Sequence, residues 1–246
     1  MRSVVQVIKK SGSAKQMVMF PFGGGSGYSF MELVKEITAD AEVMVINPPG
    51  HMFNNGKPLE SIDAMAYLYS RELLPLLKEN CLFFGHSIGA LVAYEMCRDL
   101  ERKLDIKRLI ISSVNPPHSV MAEVDMHSDM DTPQLIQKSI KMGGMPEIFK
   151  EDPDLLEKFI AGLRADLKAL ERYDGGKWAD AGKIGTGGLV LYSDGDYIVD
   201  PLKVREWNRY LDCSDFIQFS GDHFYLFEPA NLKAVARLLS TQINTG

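Results

Sequence analysis

Serine, aspartate and histidine occur in this chain in an order that suits nucleophilic acyl transfer. Ser87 stands at the centre of Gly85-His86-Ser87-Ile88-Gly89. A serine hydroxyl is a weak nucleophile at neutral pH, so it needs a neighbouring base, and the base needs an acceptor to orient it. His223 follows the last apolar run and is the only histidine after His127, which makes it the expected base. The acid is expected within Ser193-Asp194-Gly195-Asp196-Tyr197-Ile198-Val199-Asp200. Asp200, just before Pro201, reads as a helix N-cap. Between Asp194 and Asp196 the pattern alone does not decide, and two aspartates around a glycine also describe an ordinary turn. Asp222 is too close in sequence to His223 to be its orienting acid. His86 reads as packing beside the nucleophile and His51, in a polar loop, as structural or solvated.

The elements around Ser87 are those its chemistry requires. Cys81 to Phe84 is an apolar run and Ala90 to Glu95 begins a helical pattern, so the serine sits on a sharp strand-to-helix turn. Gly85 and Gly89 let the helix pack close to the strand. The Ile88 amide then lies at a helix start, where backbone donors lack partners and the dipole favours negative charge. A second oxyanion donor is expected from Phe22-Gly23-Gly24-Gly25-Ser26-Gly27 after an early strand, with Gly23 as the candidate. The same loop resembles a phosphate cradle but lacks the Gly-Lys-Ser/Thr ending. Without Ser87 beside it, it would read as a flexible turn.

Strands are expected at Val4–Ile8, Gln16–Phe20, Glu42–Ile46, the run before Ser87, Lys107–Val114, Gly188–Tyr192 and Phe216–Phe219. Helices are expected at Phe30–Ile37, at Ser61–Lys78 with Ser61 as N-cap and Pro75 as a late kink, from Ser87 to about Leu100, at Pro201–Arg209 and at Pro229–Gln242. Alternating strands and helices imply a mainly parallel sheet with its site at the C-terminal strand ends. From His118 to Trp178 the alternation stops and the pattern is helical, over Pro133–Met142 and Asp154–Tyr173. We read residues 118–178 as an inserted helical lid within a single α/β-hydrolase domain spanning 1–246. Met121, Met126, Met130, Met142 and Met145 either line an apolar channel there or fill gaps between its helices.

Composition sets the remaining bounds. The 246 residues suit one α/β domain; 46% are hydrophobic and 24% charged, and the net charge of -6 argues against a nucleic-acid binder. Cys81, Cys97 and Cys213 are odd in number, widely spaced and without a C-x-x-C pair, so they read as thiols of a reducing compartment with no metal site. No apolar run approaches the ~18 residues of a membrane span, and the N-terminus lacks a signal-peptide pattern. A cytoplasmic protein is expected.

The chain resembles the type II thioesterases, the stand-alone editing enzymes of polyketide and nonribosomal peptide synthesis. The resemblance covers nearly the whole chain. It rests on Pro21-Phe22-Gly23-Gly24-Gly25-Ser26, Pro48-Pro49-Gly50-His51, Gly85-His86-Ser87-Ile88-Gly89-Ala90 and Gly221-Asp222-His223-Phe224. More specific are Gly143-Gly144-Met145-Pro146, Leu163-Arg164-Ala165-Asp166 and Glu171-Arg172-Tyr173 in the inserted segment. The family's acid stands second in a paired-aspartate turn before an apolar dipeptide. Aligned on Ile198-Val199 this is Asp196, with Asp194 as fallback. The resemblance implies a Ser87–His223–Asp196 triad, a lid gating an acyl channel, and hydrolysis of acyl groups from the phosphopantetheine arm of acyl or peptidyl carrier proteins. It implies no cofactor of the enzyme's own and no nucleic-acid or membrane partner; a monomer is expected. The chain departs from the family at Phe22-Gly23, where His-Ala is usual, at His51, where Arg is common, and near Phe30-Met31, where a Trp is usual. A general carboxylesterase or acyltransferase on the same fold is the alternative activity. A non-catalytic module that binds acyl groups or a synthase is the alternative of another kind.

Overall fold

Several short runs are apolar at consecutive positions, which marks strands buried on both faces. The computed structural model describes residues 3–52, 54–100, 103, 106–122, 124–145 and 148–245; Pro146 of the glycine-rich signature lies outside them. The elements in order are β1 (Val5–Lys9), β2 (Gln16–Phe20), α1 (Met31–Glu36), β3 (Glu42–Ile46), α2 (Ile62–Leu73), β4 (Cys81–His86), α3 (Ile88–Leu100), β5 (Ile106–Ser112), α4 (Thr132–Lys141), α5 (Ile148–Glu151), α6 (Pro153–Glu171), β6 (Ile184–Ser193), β7 (Leu211–Phe219) and α7 (Pro229–Asn244). The sheet order is β1-β3-β2-β4-β5-β6-β7. Only β1 runs antiparallel to its neighbour, so the sheet is mainly parallel, as expected.

Side chains alternate between two buried faces. Val18, Phe20, Phe83, Leu109 and Ile111 meet α2 and α3 through Met65, Leu73, Leu91 and Met96. Met17, Met19, Leu82, Phe84 and Ile110 meet α1 and α7 through Leu33, Leu239 and Ile243. Each such side chain contributes about 1.5–3 kcal/mol by leaving water. The segment between β5 and β6 forms a third cluster, in which Met126, Leu135, Phe149, Phe159, Ile160 and Leu163 pack together. Buried Glu95 of α3 ties the end of that segment to the sheet layer. It accepts from Trp178 Nε1 (2.8 Å) and from the Tyr173 hydroxyl, and it pairs with Lys177 Nζ at 3.1 Å.

Some boundaries differ from the sequence reading. α2 begins after Ser61, whose hydroxyl accepts from the Ala64 amide (3.4 Å), but it stops at Leu73. Pro75 has no N–H to continue the ladder, so it ends the helix rather than kinking it. The segment expected as one helix from Phe30 to Ile37 is a 3-10 turn over Gly27–Phe30 followed by α1. Pro201–Arg209 becomes a 3-10 helix over Lys203–Arg209. β6 starts at Ile184, earlier than the expected Gly188; a Cβ on Gly188 would lie 1.9 Å from Leu211 Cδ1, so the close approach of β7 requires glycine there. Among the described residues, no helix is long and apolar enough to cross a membrane.

Candidate active site

Ser87 sits in the turn between β4 and α3 with φ of 54°, a left-handed conformation that costs energy for any residue but glycine. Its amide donates to Ser112 O at 2.8 Å, which pins the turn to β5. Two glycines make the turn possible. A Cβ on Gly85 would fall 2.3 Å from Ala90 Cα, and one on Gly89 would fall 2.3 Å from Phe20 O.

His223 lies beyond β7, and Asp196 lies beyond β6. The His223 Nδ1 and Asp196 Oδ2 are 2.8 Å apart, and both side chains are almost wholly buried. Asp196 Oδ1 also accepts from the Ile198 amide at 3.2 Å, which fixes the carboxylate in its own turn. Asp194 faces another way. Its oxygens accept from Ser220 Oγ (3.2 Å) and the Gly221 amide (3.3 Å), so it braces the loop that carries His223. Asp200 accepts from the Leu202 amide at 2.8 Å within its own turn; the 3-10 helix starts at Lys203 with Leu202 at the N-cap position, so Asp200 is not the cap expected of it. Asp222 accepts from the Phe224 amide at 2.7 Å. Of the four aspartates around the site, the structure brings Asp196 to His223.

His86 is fully buried beneath His223, with ring centroids 5.1 Å apart. Its Nδ1 contacts Ser112 Oγ (2.9 Å), which in turn meets the Tyr225 hydroxyl (2.8 Å). Burial, and then the neighbouring His223, hold its pKa well below the usual histidine value, so it stays neutral and packs.

Ser87, Ile88, Gly23 and His223 line one cavity of about 790 Å³, counting its solvent-facing mouth. The rest of its wall is mostly apolar and comes from two directions. Val114, Ile198 and Val199 come from the strand-end loops, and Met126, Met142, Phe159, Leu163 and Leu167 come from the inserted segment. Of the five methionines named above, Met126 and Met142 reach this wall, Met130 and Met145 pack within the inserted segment, and Met121 packs on the main core. In the glycine loop the Gly25 amide donates to Phe22 O at 2.9 Å and the Gly24 amide to Asp166 Oδ2 at 2.8 Å. Gly23 and Ile88 both line the cavity.

Two polar partnerships have no signal in the sequence. Asn115 clamps the acid loop, donating to Ile198 O (3.0 Å) and accepting from the Asp200 amide (3.1 Å). His51 is buried, not solvated, with Nε2 2.9 Å from Asp166 Oδ2 on α6. A lone loop histidine gave no local signal of that partner. Among the described residues, no cluster of three or more His, Cys, Asp or Glu could hold a metal ion.

A serine on a strained strand–helix turn and a carboxylate-oriented histidine, on one apolar cavity, can perform acyl transfer through a covalent intermediate. Comparison with known proteins agrees with that chemistry. Residues 15–243 match the model of the thioesterase domain family. The thioesterase PikA5 of Streptomyces venezuelae is 30% identical over 219 residues, which are 87% of this chain and 76% of the relative. The gramicidin S biosynthesis protein GrsT of Aneurinibacillus migulanus is 27% identical, over 88% of this chain and 85% of the relative. Among solved structures, YbtT, a type II thioesterase of the yersiniabactin pathway, superposes with a TM-score of 0.85 at 29% identity, covering 99% of both chains.

Proposed function

The chain belongs to the thioesterase domain family, a family of hydrolases acting on thioesters, and we propose that it is a type II thioesterase that clears aberrant or stalled acyl groups from carrier proteins. The acyl group is held as a thioester on the phosphopantetheine arm of an acyl or peptidyl carrier protein of a polyketide or nonribosomal peptide synthase. Relatives and structural neighbours named for such pathways support this reading. The observation that carries it is the single cavity onto which Ser87, His223, Gly23 and Ile88 open beneath an apolar wall.

His223 takes the Ser87 proton through Nε2 as Oγ attacks the thioester carbonyl. Asp196 holds Nδ1–H, which sets the tautomer and stabilises the imidazolium that forms. The amides of Ile88 and Gly23 hold the oxyanion. The tetrahedral intermediate collapses with cleavage of the C–S bond, and His223 returns the proton to the departing thiolate. Water, deprotonated by His223, then attacks the Ser87 ester; as the C–O bond to Ser87 breaks, His223 returns the proton to Oγ and the acid is released. The apolar wall accepts the acyl chain, and residues 118–178 act as the lid over it. In this reading the enzyme is a cytoplasmic monomer that works without a cofactor of its own.

The test compares turnover of short acyl-carrier thioesters with that of simple oxygen esters of the same acids. Faster thioester release supports the editing reading; faster ester turnover assigns a general esterase instead. An active-site-directed phosphonate should label Ser87. No label on a folded protein would leave a non-catalytic acyl-binding module.

A further inference from the structure

We propose that Asp166 is a positioning residue for thioester hydrolysis: from the lid helix it holds the glycine loop in oxyanion-binding shape, with His51 as its counter-charge. The proposal rests on the reading of Ser87 as nucleophile and Gly23 as an oxyanion donor.

The carboxylate of Asp166 is almost wholly buried, a costly place for a charge unless it is paired and hydrogen-bonded. Its Oδ2 accepts from the Gly24 amide at 2.8 Å and faces His51 Nε2 at 2.9 Å. His51 Nδ1 faces Pro49 O at 3.1 Å. Both ring nitrogens therefore meet acceptors. A neutral ring can donate to only one of these acceptors, so the pair of contacts suits an imidazolium. Burial opposes that charge, while the Asp166 carboxylate, by charge and by hydrogen bond, and the Pro49 carbonyl together raise the His51 pKa above its usual value.

The loop and the lid helix are fitted to each other along one face of α6. Gly24 has φ of 72°, and a Cβ there would lie 2.7 Å from Phe159 Cε2. A Cβ on Gly23 would lie 3.3 Å from Leu163 Cδ1. Phe159, Leu163 and Asp166 follow helical spacing, so they share that face. One turn before Asp166, Gly162 seats the His51 ring; a Cβ there would lie 2.7 Å from His51 Cδ2. The same helix supplies Phe159, Leu163 and Leu167 to the cavity wall, so any movement of α6 that widens the cavity also draws Asp166 from the Gly24 amide. Lid closure thereby assembles the oxyanion site as well as covering it. The positive charge on His51 keeps the Asp166 carboxylate, next to the loop, from opposing the developing oxyanion.

The experiment measures kcat and KM on an acyl-carrier thioester, and affinity for a trifluoromethyl ketone that forms a tetrahedral adduct with serine. Asp166→Ala should lower kcat by about 10²-fold with little change in KM, the size of loss expected for a donor displaced by about 1 Å. Ketone affinity should fall in step with kcat/KM. Asp166→Asn, whose amide oxygen can still accept from Gly24, should stay within about tenfold of wild type. His51→Gln, which leaves the carboxylate uncompensated, should lose more than about tenfold, and His51→Gln/Asp166→Asn should recover it. That rescue decides the matter even if Asp166→Ala does not fold. A raised KM at unchanged kcat, an unweakened ketone, or a double variant no better than His51→Gln would overturn the proposal. If Ser87→Ala keeps turnover in the same assay, the underlying mechanism fails, and that result is distinct from all of these.

Discussion

Replacing Asp196 with asparagine separates orientation of the base from everything else in the site. The two side chains are nearly the same size, and Asp196 already accepts from the Ile198 amide through Oδ1 at 3.2 Å. An asparagine keeps that bond with its oxygen and turns its NH2 toward His223 Nδ1, 2.8 Å away in the wild type. Nδ1 then becomes an acceptor and Nε2 carries the proton. A ring in that tautomer cannot take the proton from Ser87, and the imidazolium loses its counter-charge. A wrong tautomer in an intact triad geometry costs about 10⁴-fold in kcat, or about 5.5 kcal/mol of barrier at 1.36 kcal/mol per tenfold. Asp194→Asn is the control. Its oxygens serve Ser220 Oγ and the Gly221 amide, and an amide oxygen can still receive one of them, so kcat should stay within about tenfold. Single-turnover release of a labelled acyl group from a carrier protein gives both numbers. Loss of less than tenfold in Asp196→Asn, or an equal loss in Asp194→Asn, refutes the assignment.

Three further outcomes follow from buried groups. Ser113 has φ of 50° and a buried hydroxyl without a hydrogen-bond partner among the described residues, so Ser113→Gly should raise stability by roughly 1 kcal/mol; a lowered urea midpoint would contradict this. Glu95→Ala leaves Lys177 and the Trp178 and Tyr173 donors without their common acceptor, and it should cost about 3–5 kcal/mol in equilibrium unfolding; a loss under about 1 kcal/mol would show the contact is dispensable. The raised His51 pKa gives a signed pH effect. Asp166 on α6 is the charged group facing His51, and Tyr69 on α2 is the titratable group beside Asp166. Stability from the pair should be complete below the usual histidine value of 6.5 and be lost as pH rises through the raised one. The thermal-stability gap between wild type and His51→Gln should therefore shrink on the alkaline side, and a gap that widens there would refute the charged state of His51.

The parts of the site carried by short local patterns were legible in the sequence. A glycine on each side of Ser87, a histidine after the last strand and an acidic turn after the strand before it each announce themselves within a few residues. The choice between Asp194 and Asp196 was not open to that reasoning, because both share one turn and differ only in what lies across from them. That difference is tertiary: Ser220 and Gly221 for one, His223 for the other. The partnership of His51 with Asp166 was beyond reach for the same reason, since 115 residues separate them and neither lies in a pattern that specifies the other. The sheet was readable from its apolar runs, but the glycines before Gly188 hid the start of β6. Gly185 and Gly187 have no side chain to extend the apolar pattern, and at Gly188 the close approach of Leu211 leaves no room for one.

The most direct test of the whole account is release of a short acyl group from a phosphopantetheinylated carrier protein, followed by mass spectrometry for wild type and Ser87→Ala side by side. The account predicts free acid and regenerated carrier thiol from the wild type, a transient acyl adduct on Ser87, and neither from the variant. Equal release by the two proteins would remove Ser87 as the nucleophile. No release by either, with Ser87 still labelled by a phosphonate, would leave the machinery standing and assign it another ester substrate.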